Sequence, residues 1–238
     1  MTTYQKINTI YKRDMGSNSK RLLVGEWSQP EFEYLKDNQW EWTEKIDGTN
    51  IRVHWDGAQV LFGGRTDKAD IQEHLLQMLR EKFTPELLRQ VFQPSDSDGG
   101  NGSSSDGNGN EGSNGGSGGN PISITLYGEG YGLKIQKGGN YLRRQVGFIL
   151  FDIKIGMWWL KRADCEALAQ QLGIPIVPVV GYGTLQEAAD FVRKGFKSVV
   201  AENKDYDAEG LVLKPTVVLL ARNGQRILTK IKHCDFRD

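Results

Sequence analysis

The chain has 238 residues, 38% of them hydrophobic and 25% charged, enough to bury a sizeable core and too polar for a membrane-embedded or fibrous protein. Thirty basic residues balance thirty acidic ones, so the net charge alone draws the chain to no polyanion, membrane surface or acidic partner. Its two cysteines, Cys165 and Cys234, are 69 positions apart with no CxxC partner, which argues against a disulfide framework or zinc site and fits a reducing, cytoplasmic setting.

In chain order, "MTTYQKINTIYKRD" lacks the apolar stretch of a secretory signal, and no later run approaches the roughly 18 apolar residues of a membrane span. Its alternating basic and apolar residues suit a segment folded over a neighbouring pocket, with Lys6 as a candidate contact. "TEKIDGTNIRV" (43–53) sets Lys45 between Glu44 and Asp47-Gly48, ahead of an alternating strand, and Asp56-Gly57 reads as a hairpin turn. Over 69–92, "ADIQEHLLQMLREKFTPELLRQVF" places Leu75, Leu76, Leu79 and Phe83 on one helical face. Thr84-Pro85 then reads as the N-cap and first position of a second helix.

Residues 95–120 contain only Ser, Asp, Gly, Asn and one Glu, a composition that buries no apolar area and predicts a flexible tether inserted in a surface loop. Without its four acids the remainder holds 30 basic against 26 acidic residues, which permits a polyanionic partner. Strand-like runs follow at 122–129, 146–155, 210–221 and 226–233, with Asn223-Gly224 as a second tight turn. Between them lie two helices, one over 161–173 stopped by Gly173 and one over 184–195 opened by a Thr184/Glu187 capping box. Strands outnumber helices and the connections read as antiparallel. The expected fold is therefore α+β, antiparallel sheets flanked by helices, as a single domain over 1–238 interrupted at 95–120.

Several residues have side chains suited to chemistry. A lysine attacks only as the free amine, which burial or nearby cations favour, and Gly48 would let the chain turn sharply and approach a phosphate. Glu129 stands among glycines at an expected strand end, followed by Lys134 and Lys137. Glu209 precedes Lys214 in "EGLVLKP", and Lys230 and Lys232, two apart, share one face of a strand. Each has a plainer alternative: a hairpin corner at Lys45, a solvated face at the lysine pair, surface exposure for Arg65 and core packing for Phe151. Together they are the parts needed to bind a nucleoside triphosphate with magnesium and attack its α-phosphate. His54, His74 and His233 are not at metal-ligand spacing, and Trp158-Trp159 reads as hairpin or core packing, with a base-stacking platform as the alternative.

The ordered strings KIDGTN, GGRTD, YGEGYGLKIQK, FILFDIK, EGLVLKP and KIK resemble the motif series of the covalent nucleotidyltransferases, the superfamily of ATP-dependent ligases and mRNA capping enzymes. Within it they are most similar to the RNA-ligase branch of phage T4 RNA ligase 2. The resemblance implies that Lys45 attacks the α-phosphate of ATP, expels pyrophosphate and carries AMP, which then passes to an RNA 5′-phosphate that is sealed to a 3′-hydroxyl. It implies that Glu44 meets the adenine edge, Arg65 the ribose and the acceptor 5′-phosphate, and Glu129 the ribose hydroxyls. Phe151 would stack on adenine, with Phe148 as the alternative register, and Lys230 and Lys232 would contact the α-phosphate and keep Lys45 neutral. Asp47, Gly48, Asn50 and Lys214 complete the implied nucleotide-binding set, and Glu209 with Glu129 would hold Mg2+, or Mn2+ in its place.

The implied partners are ATP and RNA with nicked or single-stranded ends, in the cytoplasm, which is the host's if the chain is phage-encoded. Asp47 stands where the T4 branch often has histidine, so a minimal DNA ligase on nicked duplex remains an alternative. A capping guanylyltransferase and a degenerate protein that only binds nucleic-acid ends are the others. Because the chain stops six residues after Lys232, the expectation is a catalytic core without an OB-fold or C-terminal RNA-binding domain, whose grip on nucleic acid a protein partner would supply.

Overall fold

The computed structural model describes residues 1–16, 21–93, 123–136 and 140–236; the tether expected at 95–120 and Lys137 lie outside them. The chain begins with short strands β1 (Asn8–Thr9) and β2 (Tyr11–Arg13), then β3 (Leu22–Trp27) and a helical turn α1 (Pro30–Tyr34). Strands β4 (Trp40–Glu44), β5 (Thr49–Trp55) and β6 (Val60–Gly63) lead to helices α2 (Glu73–Lys82) and α3 (Pro85–Phe92). Strands β7 (Ile124–Gly132), β8 (Val146–Ile155) and β9 (Trp158–Trp159) precede α4 (Arg162–Leu172), β10 (Val179–Gly183) and α5 (Leu185–Lys194). The last strands are β11 (Gly210–Pro215) and β12 (Thr229–Lys232).

Two five-stranded sheets result, the first ordered β1-β12-β11-β4-β10 and the second β6-β5-β7-β8-β9. Every pairing in them is antiparallel except β1 with β12, which is parallel. The fold is α+β, as expected. The helix ends follow local chemistry. Thr84 accepts the Leu87 N–H at 3.2 Å before Pro85 opens α3, Thr184 and Glu187 cap α5 reciprocally, and Gly173 ends α4 in the left-handed region at φ 59°.

Three differences from the sequence expectation matter for the site. Glu129 lies inside β7, which continues to Gly132, and not at a strand end. The run expected over 210–221 stops as a strand at Pro215, whose missing N–H cannot extend the ladder. Beyond it only a bridge from Leu220 to Arg226 flanks the Asn223-Gly224 turn, so β12 is shorter than the run expected over 226–233.

One apolar cluster joins the second sheet to α2, α3 and α4 through residues such as Ile51, Leu75, Leu79, Leu126, Leu150 and Leu172. Another joins the first sheet to α5 through Trp40, Leu211, Leu213, Ile231, Ala188 and Val192. A smaller one, built on Ile46, Tyr131, Tyr141, Ile149 and Val177, packs where the chain passes between the sheets. That passage is the stretch 45–48, from the end of β4 in the first sheet to the start of β5 in the second. Lys45 therefore stands at the junction, where a hairpin corner would have left it in solvent.

Candidate active site

The end of β4 lies beside β11, which lies beside β12. The Lys45 N–H donates to the Gly210 carbonyl at 2.9 Å, and Gly210 is the register partner of Lys232. Glu209, immediately before β11, thus falls between two lysines that are far apart in the chain. Its carboxylate takes the Lys45 ammonium on one oxygen and the Lys232 ammonium at 2.5 Å on the other.

Lys230 projects from the same strand as Lys232 and is half-buried. Burial, then the charges of Lys45, Lys232 and Arg65, push its pKa down. Lys232 moves the other way: burial opposes its charge, but the hydrogen bond and charge of Glu209 outweigh it and raise the pKa. Sequence reasoning cast both lysines as a means of keeping Lys45 neutral; the geometry instead pairs Lys232 with the carboxylate it shares with Lys45.

The opposite wall comes from the second sheet. Asn50 and Glu129 are direct partners across the β5–β7 ladder, so their side chains share one face. Burial, followed by the nearby carboxylates Glu209 and Asp47 against the pull of Lys45, pushes Glu129 up to about 8, which leaves it largely protonated at neutral pH. The Asn50 Oδ1 is buried with no hydrogen-bond partner among the described residues, an uncompensated acceptor of the kind a ligand donor would satisfy. Gly48 serves packing: a Cβ there would stand 2.3 Å from the Gly130 carbonyl and 2.8 Å from Glu129 Cγ. Strand β7 approaches Gly48 closely, a packing demand that the sequence did not show.

Between these walls is a cavity of about 100 Å3, lined by Lys45, Glu44, Asn50, Glu129, Phe151 and Lys214 together with Tyr4 and Ile7. Phe151 is partly exposed to it, whereas Phe148 is buried against Phe83, with ring centroids 5.2 Å apart. Of the two registers expected from sequence, the cavity takes Phe151.

Glu44 is buried and already engaged, accepting hydrogen bonds from the Ser198 hydroxyl and, at 2.8 Å, from the Val199 N–H. Lys214 reaches inward to Asp152 at 2.8 Å and the Phe151 carbonyl at 3.2 Å. Asp152 also accepts from Arg226 at 3.1 Å; burial alone would raise its pKa, but Lys214 and Arg226 outweigh it and hold it at about 2. The Asp47 N–H meets the Tyr141 hydroxyl at 3.3 Å, outside the cavity wall. Arg65 is exposed and outside the lining, on the loop that the fully buried Arg52 holds through the Gly64 carbonyl at 2.8 Å and Asp67 at 2.8 Å. Lys6 is exposed, and its neighbours Tyr4 and Ile7 supply the N-terminal contribution.

Tyr4, Arg52, Asp152, Ser198 and Arg226 were not singled out in the sequence. Asp152 adjoins Phe151 in the "FDI" string, which was a usable signal; the others are joined to the site only by long-range contacts. Trp159 packs beneath the Arg226 guanidinium at 3.5 Å, while Trp158 is exposed.

A second cavity, of about 460 Å3, lies across Phe151 and Lys214 from the first and is lined by Glu41, Arg162, Val217 and Arg226 among others. It is larger but touches neither Lys45 nor Glu129, both of which line the smaller one. Among the described residues no group of three or more His, Cys, Asp or Glu side chains is arranged to hold a metal ion. Glu129 lines the cavity and Glu209 lies close enough to raise its pKa, so these two acids are the groups placed to contribute to an ion that would draw its remaining ligands from phosphate oxygens and water. Lys45 thus stands between a small cavity with an aromatic wall and the amines of Lys230 and Lys232, groups whose chemistry suits a ring and an anionic tail.

The family model for RNA ligase matches residues 38–232. Among solved structures, a mutant of the Naegleria gruberi RNA ligase with ATP and Mn aligns with TM-score 0.58 and 20% identity over 85% of this chain and 51% of that one. The same ligase with PPi aligns equally, over 85% and 52%, and an apo mutant aligns with TM-score 0.59 and 19% identity over 98% and 60%. At that identity the likeness establishes the fold, and the chain spans between half and three-fifths of the length of these relatives. No curated protein sequence matches significantly. No helix among the described residues is long and apolar enough to cross a membrane.

Proposed function

The chain belongs to the RNA ligase family, and on that premise we propose that it is an adenylyltransferase core that activates and seals RNA ends with ATP. The observation that carries this reading is the convergence of Lys45, Glu209 and Lys232 at three neighbouring strand ends beside a cavity walled by Phe151. Lys45 is the proposed nucleophile: as the free amine, its Nζ bonds to the α-phosphorus of ATP while the α–β P–O bond breaks and pyrophosphate leaves with the electron pair. The AMP so held is then passed to an RNA 5′-phosphate, and a 3′-hydroxyl displaces it to form the new phosphodiester.

Phosphoryl transfer depends on positioning and charge neutralisation more than on proton chemistry. In this reading Lys230 and Lys232 neutralise the α-phosphate, and Phe151 stacks on the base. Asn50 and Glu129 accept from ribose hydroxyls; a buried Oδ1 without a partner supports this for Asn50. Arg65, exposed beside Lys230, suits the acceptor 5′-phosphate. Glu209 and Glu129 are the groups suited to a divalent ion, Mg2+ or Mn2+, which when bound would offset triphosphate charge. A cytoplasmic setting, with ATP and RNA at hand, fits these roles.

Incubation with α-labelled ATP and Mg2+ tests the reading. The expected result is acid-labile label on the wild-type chain and none on Lys45→Ala; no label on the wild type, or equal label on both, overturns it. GTP in parallel would reveal a guanylyltransferase, and nicked RNA beside nicked DNA would identify the polynucleotide.

A further inference from the structure

We propose that Tyr4, outside every motif string, is a positioning residue that walls the base site, and that its segment shifts outward to admit the nucleotide. The inference rests on the ATP reading above. Tyr4 and Ile7 line the same cavity as Lys45, Glu129 and Phe151. The Tyr4 ring meets Phe151 edge-on, with centroids 4.9 Å apart, and so sets the tilt of the ring proposed to stack on the base.

Tyr4 is itself fixed from behind. Its hydroxyl donates to Asp152, the carboxylate that also takes Lys214 and Arg226, and the Arg226 guanidinium lies 5.4 Å from the centre of the Tyr4 ring and 3.5 Å from that of Trp159. Residues remote in the chain thus converge on one phenol, next to the site, in the segment expected to fold over a pocket, through Tyr4 and not through Lys6.

The cavity volume supplies the second half of the proposal. About 100 Å3 is well below the roughly 300 Å3 at which small-molecule pockets begin, so a nucleoside does not fit while the segment lies as it does. Besides the Tyr4 hydroxyl on Asp152, four hydrogen bonds among the described residues hold it. Gln5 exchanges hydrogen bonds with the Arg226 backbone at 2.7 and 3.1 Å, the Tyr127 hydroxyl donates to the Thr2 carbonyl at 3.1 Å, and Arg52 donates to the Met1 carbonyl at 3.2 Å. Strand β1, the hinge side of the segment, is only two residues long. Binding energy from a triphosphate can offset the loss of these contacts, after which Tyr4 closes against the base.

Calorimetric titration of the full chain with MgATP and, separately, with inorganic tripolyphosphate distinguishes base contact from phosphate contact. Tyr4→Ala should weaken ATP binding tenfold or more and leave tripolyphosphate binding within twofold. Tyr4→Phe, which keeps the ring and loses the hydroxyl, should stay within threefold of wild type for both. Unchanged or tighter ATP binding by Tyr4→Ala, or an equal loss for both ligands, overturns the proposal. If the wild type binds ATP but acquires no label, the ligase reading fails while these titrations still decide the role of Tyr4. Failure of the wild type to bind ATP overturns both.

Discussion

Lys45 and Glu209, 164 positions apart, form an ion pair, and the same carboxylate holds Lys232 at 2.5 Å. One acid therefore spaces two ammonium groups that would otherwise repel each other at the mouth of the cavity. Glu209→Gln keeps the shape and removes the charge, leaving Lys45, Lys230 and Lys232 with no carboxylate between them. Adenylylation should fall by about 100-fold, the scale of losing one preorganised electrostatic group, with an unchanged circular dichroism spectrum. Undiminished labelling of this variant would remove Glu209 from the site.

Gly48→Ala should damage the fold more than most glycine replacements. Its Cβ would lie 2.3 Å from the backbone oxygen of Gly130, in the central ladder of the second sheet, where neither strand can yield. A loss of about 3 kcal/mol or more in denaturant titrations is expected. Gly57→Ala is the control: φ is 97° but nothing lies within 4 Å, so only backbone strain of about 1 kcal/mol applies. Equal losses at the two positions would contradict the packing role given to Gly48.

Glu129 predicts a pH dependence. Its carboxyl is raised by burial from an ordinary 4.5 to about 8, so the folded chain holds a proton that the unfolded chain releases. The stabilisation from this group is complete below about pH 4.5 and is lost as pH rises to about 8, a change on the order of 5 kcal/mol. Glu129→Gln mimics the protonated form and should flatten that part of the curve of unfolding free energy against pH. An identical slope in variant and wild type would place the carboxyl in water.

Asp152 acts in the opposite sense. Held at about 2 against an ordinary 3.8, it contributes stability that is present above pH 3.8 and lost as pH falls through 2. Asp152→Asn leaves the buried Arg226 and the half-buried Lys214 without their shared counter-charge and should cost about 3 to 5 kcal/mol at pH 7 in denaturant titrations. A cost under about 1 kcal/mol would mean that water already solvates the cluster.

The parts of this protein readable in its sequence were those specified by neighbours in the chain. Thr84-Pro85, the Thr184/Glu187 box and Gly173 act within one helical turn, and each ends or begins a helix where expected. The alternating runs identified β8 for the same local reason and contained β11 and β12 while overrunning both, and the ordered strings pointed to the family. What the strings could not state was which groups would already be engaged by one another. Lys214 turned to Asp152, Glu44 to the Ser198 loop, and Gly48 to the Gly130 backbone, because each partner arrives through strand pairing or a loop far away in the chain. Tyr4 reached the cavity by the same route: alternation in the N-terminal segment suggested a cover over a pocket, but the parallel two-residue pairing of β1 with β12 decided that Tyr4 and Ile7, and not Lys6, would line it.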